Sequence, residues 1–126
     1  MSLLEQLQFN ADGHMPAIIV DDVSGQVLTL CYLDREALEK TVATGEVWVF
    51  RRSAGMLMKK GERSGHTQTV KAIFIDCEDK SLLIRVDQKV AACHKGYFTC
   101  YYTQYDPETG ETETVGEQVF KPEDVY

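Results

Sequence analysis

No run of about 18 consecutive apolar residues, the length that spans a bilayer, occurs in the chain. The opening MSLLEQLQFN has no basic stretch leading into an apolar one, so no export leader is expected. Basic residues are scarce as well: 13 lysines and arginines face 20 aspartates and glutamates, for a net charge of -7. A nonspecific grip on nucleic acid needs a dense cationic face, so nucleic acid is not an expected partner. Close C-x-x-C pairs are missing although there are four cysteines, which argues against zinc ribbons and knuckles. Internal repeats and low-complexity blocks are missing too. With 126 residues, 44% of them hydrophobic, the chain suits one compact domain over residues 1–126. It is expected in the cytoplasm, away from membranes, where stable disulfides do not form.

What is present is mostly strand-like. MPAIIVDD and QVLTLCYL are apolar runs separated by Ser24 and Gly25, which predicts a hairpin. Asp34 as N-cap and Gly45 as C-terminal stop bracket REALEKTVAT, which predicts one short helix. EVWVFRR, TVKAIFIDC and SLLIRVDQ read as further strands, the last two joined by a polar turn around Glu78, Asp79 and Lys80. GYFTCYYTQYD adds another. The Thr/Glu/Gly-rich remainder reads as a solvated long loop or hairpin ending in a short docking segment, Val119 to Tyr126. The class that follows is α+β, dominated by antiparallel sheet with one or two short helices.

Cys31 sits inside VLTLCYL and reads as a small buried apolar thiol. Cys77, Cys93 and Cys100 are set apart by 15 and then 6 intervening residues, each near a different strand end. Only tertiary folding, or contact with a second subunit, could unite them, and spacing alone leaves a metal site open. Three thiolates would leave tetrahedral zinc one open position, the mark of a catalytic site, whereas closure by His66 or His94 would make a structural clamp. His94 directly follows Cys93, and in an extended strand neighbouring side chains point to opposite faces, which places it beside a metal rather than on it.

A second informative stretch is FRRSAGMLMKKGERSGHTQTV, Phe50 to Val70. Its centre, KKGERSGH, combines cations, hydroxyls and two glycines, which suits close backbone approach to a phosphate or sugar. The plain alternative is a flexible charged loop between strands.

Arg52-Ser53, KGERSGH from Lys60 to His66, Asp76-Cys77, ACHKG from Ala92 to Gly96 and CYY from Cys100 follow one another in an order that resembles phosphoribosyl-AMP cyclohydrolase, a ring-opening family of histidine biosynthesis. The likeness runs from about Pro16 to Tyr102 and leaves the tail, residues 106–126, outside it. It implies a small β-rich subunit in an intertwined homodimer that hydrolyses the N1–C6 bond of the adenine ring in phosphoribosyl-AMP. It also implies zinc on Cys77, Cys93 and Cys100, with ligands shared across the subunit boundary, and a proton moved by His94 or His66. Arg52, Ser53, Lys60, Gly61, Ser64 and Gly65 would grip the phosphorylated nucleotide. Magnesium would fall to an acidic turn, here Asp76 and Glu78. Glu78 stands where the pattern has aspartate, and Lys80 where it has its last acid, which a protonated lysine cannot replace as a ligand. Ala54, Met58, Arg63 and Phe98 also depart from the family's usual arginine, tryptophan, threonine and arginine. These departures keep two other readings in view: a divergent relative that binds or transforms another nucleotide-like ligand, and zinc that only staples a dimer interface.

Overall fold

A computed structural model describes residues 2–125. A single helical turn, α1 (Leu3–Gln6), is capped by the Ser2 hydroxyl, which accepts from the Glu5 N–H. Strands β1 (Met15–Asp21) and β2 (Val27–Leu33) then form the expected antiparallel hairpin. Its turn is closed by the Asp21 carboxylate, which accepts from the Ser24 N–H at 2.9 Å and the Ser24 hydroxyl at 2.7 Å. Gly25 takes a φ of +75°, which costs glycine little and other residues more.

Helix α2 (Arg35–Thr44) starts where the Asp34 carboxylate accepts from the Ala37 N–H at 2.8 Å, and it ends at left-handed Gly45. It buries Ala37, Leu38 and Thr41. The Thr41 hydroxyl donates to the Ala37 carbonyl and accepts from the Trp48 N–H at 2.9 Å, which ties the helix to β3 (Trp48–Arg51). Strand β3 pairs antiparallel with β4 (Met56–Lys59), so part of the stretch open to a flexible-loop reading is ordered strand. Leu57 packs against the core and supplies the reason.

Strands β5 (Gln68–Ile75) and β6 (Leu82–Gln88) complete a four-stranded sheet in the order β2-β1-β6-β5. Two of its seams are antiparallel, while β1 and β6 run parallel. Alternation sorts the faces. Met15, Ala17, Ile19, Leu82, Ile84 and Val86 point into the core, none more than 1% exposed. On the other face the register aligns Leu30, Ile18, Leu83 and Phe74 in one row across all four strands. Three of them are conspicuously open to solvent, Ile18 at 39%, Leu30 at 45% and Phe74 at 53%.

One expected strand is shorter than its sequence suggests. Within GYFTCYYTQYD only Thr103–Tyr105 is strand (β7), paired with β8 (Thr112–Thr114). The preceding residues form a turn in which Cys93 N–H donates to the Tyr97 carbonyl, and Gly96 takes a φ of +98°. The Thr99 hydroxyl then donates to the Val27 carbonyl at 2.7 Å and pins the segment to the start of β2. The docking segment expected from Val119 to Tyr126 is described as far as Val125, and includes a short 3₁₀ turn at Pro122–Asp124; Tyr126 lies outside the described residues. Among the described residues no helix is long and apolar enough to cross a membrane.

Candidate functional site

A cleft of about 650 Å³ opens between β2, the β3–β4 hairpin and the loop that follows it. Of the residues singled out from sequence, Arg52, Lys60, Gly61, Ser64, His66, His94 and Cys100 line it. Ser53 and Gly65 belong to the same turns but lie off the lining. Arg51, Lys59 and Arg63 add cations to the wall, with Glu62 the acid among them. Lys59 is already paired, its Nζ 3.1 Å from the Glu46 carboxylate. Arg52 lies over the Tyr32 ring at 3.8 Å from its centroid, a cation–π contact that restrains the guanidinium.

The KGERSGH loop folds tightly on itself. Gly65 N–H donates to the Gly61 carbonyl at 2.8 Å, and His66 N–H donates to the Ser64 hydroxyl at 3.2 Å. Gly61 has a φ of +78°, and a Cβ there would collide with the His66 carbonyl. The closure delivers the His66 ring to the cleft. Its Nδ1 is buried without a hydrogen-bond partner among the described residues, and the ring meets Phe120 edge-on at a centroid distance of 4.8 Å.

Two buried glutamines escaped sequence reasoning. Gln68 Nε2 donates to Gln88 Oε1 at 2.7 Å across β5 and β6. The Gln88 amide nitrogen in turn lies 3.3 Å from the His66 carbonyl and 3.2 Å from the Ala91 carbonyl. The pair thereby braces both loops that carry the histidines. The available signal was a glutamine at one end of each of two strands, Gln68 opening β5 and Gln88 closing β6.

The thiols divide into two groups. Cys93 is buried, and its side chain meets Cys100 on the cleft wall. Burial is the main cause raising the Cys100 pKa above its ordinary value, and the Cys93 thiol adds to it; Thr29 and Lys60 oppose. Although Cys100 is exposed as a residue, its neighbours shield the sulfur enough to matter. Cys31, expected as a small buried apolar thiol, is partly buried and also lines the cleft, and desolvation pushes its thiol up to about 12. Cys77 stands elsewhere. It follows β5 at the far end of the β5–β6 hairpin, and the 7 residues of β6 put roughly 20 Å between that end and the Cys93 loop.

Among the described residues of one chain, no group of three or more His, Cys, Asp or Glu side chains is placed to hold a metal ion. Cys93 and Cys100 suit a soft ion such as zinc, and Cys77 of the same chain does not stand beside them. The acidic turn is engaged in its own structure. The Asp76 carboxylate accepts from the Glu78 and Lys80 N–H groups and from the Ser81 hydroxyl, and the Lys80 N–H bond leads in holding its pKa below the usual carboxylate value. Glu78 pairs with Lys80 at 3.7 Å. Within one chain, these residues do not fit magnesium.

Residues 29–102 match the family model described as phosphoribosyl-AMP cyclohydrolase. The phosphoribosyl-AMP cyclohydrolase of Pelotomaculum thermopropionicum is 46% identical over 98% of this chain and 95% of its own length. That of Methanosarcina mazei is 50% identical over 91% of this chain and 92% of its own. A longer relative, the histidine biosynthesis bifunctional protein HisIE of Caldanaerobacter subterraneus, is 45% identical over 84% of this chain and 52% of its own.

Proposed function

The chain belongs to the phosphoribosyl-AMP cyclohydrolase family, and from that premise we propose that it hydrolyses the N1–C6 bond of the adenine ring of phosphoribosyl-AMP in histidine biosynthesis. The observation that carries this reading is the cleft, where cations, two histidines and two thiols face one volume. Phosphates at two ends of a nucleotide call for charge-assisted hydrogen bonds, which Arg51, Arg52, Lys60 and Arg63 can donate. As the ring opens, the water oxygen ends on C6 and N1 leaves with a proton. A group that takes one proton and returns another is needed, and His66, with its unpartnered Nδ1, and His94 are the candidates.

We assign zinc to Cys93 and Cys100 of one copy and Cys77 of a second, in a cytoplasmic homodimer. When bound, such an ion supplies the Lewis acidity that makes water nucleophilic near neutral pH. Two features support a second copy: Cys77 is exposed and remote from its sister thiols, and the apolar row Leu30–Ile18–Leu83–Phe74 crosses an uncovered sheet face beside the cleft. Magnesium is given no step, because the Asp76 and Glu78 carboxylates are engaged within their own turn.

Incubating the purified protein with phosphoribosyl-AMP, and following the ultraviolet change on ring opening, is expected to show turnover without added magnesium. Mass spectrometry is expected to find about one zinc per chain. Cys93→Ser is expected to lose both, and full turnover in that variant rejects the zinc assignment. A second reading, another nucleotide-like ligand in the same cleft, is motivated by Lys80, Ala54 and Phe98, which stand where the family usually has an acid and two arginines. Zinc bound without turnover of phosphoribosyl-AMP selects it. Turnover that survives loss of zinc selects a purely structural ion at the interface.

A further inference from the structure

The acidic tail, expected as solvated surface, folds back across the segment that carries Cys93 and His94. Val115 N–H donates to the Tyr102 carbonyl at 2.8 Å. Gly116 then passes close to Tyr97 and Tyr102, whose rings are stacked at 3.8 Å, and a Cβ there would come within 3.3 Å of the Tyr102 Cβ. Gln118 Nε2 donates to the Lys95 carbonyl at 2.9 Å, and Val119 N–H donates to the Gly96 carbonyl at 2.7 Å. Gly96 has no room for a side chain, since a Cβ would collide with the Phe120 carbonyl. This chain of contacts sets the Phe120 ring against His66, 78° from coplanar, and brings Pro122 onto the cleft lining.

We propose that residues 115–122 form a wall of the active cleft and that Phe120 is a positioning residue for His66. That role presupposes the function assigned above, with His66 as proton carrier. The Ser64 hydroxyl and the Gln88 amide hold the His66 N–H and carbonyl, but its buried Nδ1 has no hydrogen-bond partner among the described residues. The ring plane is therefore set by packing, and an edge-to-face aromatic contact prefers a definite angle. A proton carrier that swings away from that angle loses rate rather than affinity. The same strap rests on the Lys95–Gly96 turn beside His94, so both candidate histidines share one support.

The test compares full-length wild type with Phe120→Ala, Phe120→Tyr and Val23→Ala, the last a control on the β1–β2 turn that is 92% exposed. Phe120→Ala is expected to lower kcat about tenfold with KM changed less than about twofold. Phe120→Tyr keeps the ring and is expected to recover most of the rate, while Val23→Ala matches wild type. Independently of turnover, the Phe120 ring current shifts the His66 imidazole proton resonances. Phe120→Ala is expected to move them and Phe120→Tyr to hold them. Unmoved resonances in Phe120→Ala overturn the proposal, as does an unchanged kcat or a raised KM alone. Should wild type fail to open phosphoribosyl-AMP, the functional assignment falls while the imidazole resonances still decide whether the strap holds His66.

Discussion

The four-stranded sheet and the cleft beside it are built on opposite plans. The core face of the sheet is complete within one chain: the inward apolar side chains of β1 and β6 pack in one core, and both central strands have two neighbours. The cleft is unfinished in one chain. Two of its candidate zinc thiols meet while the third stands at the other end of the hairpin, and its cations face open volume. Stability is thus local to the fold, whereas the proposed chemistry draws on parts brought from the tail and from a second copy.

The sharpest way to break this contrast is complementation. Cys77→Ser and Cys93→Ser are each expected to be inactive alone. Mixed, unfolded and refolded together, they should recover about a quarter of wild-type turnover, because half the dimers are mixed and each of those holds one intact site. No recovery, with both variants folded, would place all three ligands in one chain. Next in size is Ile84→Ala, in the middle of the sheet. It should cost about 2–5 kcal/mol in urea unfolding yet leave the KM of the folded fraction unchanged. Lys60→Met is the converse, expected to raise KM about tenfold through one lost charge-assisted contact while leaving the urea midpoint nearly in place. Glu46→Gln, which breaks the half-exposed pair with Lys59, should shift stability by only about 0.5 kcal/mol. An effect on stability from Lys60→Met as large as that of Ile84→Ala would erase the distinction.

The same division explains what could be read from sequence. The hairpin declared itself through Ser24 and Gly25, and α2 through Asp34 and Gly45, because each signal and its consequence lie within a few residues. The parallel seam between β1 and β6 had no such marker, since alternation names the faces of a strand and not its neighbour. At the cleft, the cation-rich loop and the two histidines were legible from residue type and order. The glutamine brace was not, because Gln68 and Gln88 each look like the polar end of a strand until they are set opposite one another. The tail was legible as a solvated hairpin with a docking end, but composition did not show where it docks: Gly116, Gln118 and Phe120 meet the Lys95–Gly96 turn, the tyrosine pair and His66 through contacts that hydropathy does not register.

Strand β1 waits longest for its second neighbour. Its pairing with β2 can form as soon as the first turn closes, but β6 is synthesised only after β3, β4 and β5. Until then one edge of β1 stays bare, and joining it means closing a long loop. A nascent or partly unfolded chain therefore shows a hydrogen-bonding edge at β1 that pairing with β6 removes, leaving β2 and β5 as the edges of the finished sheet.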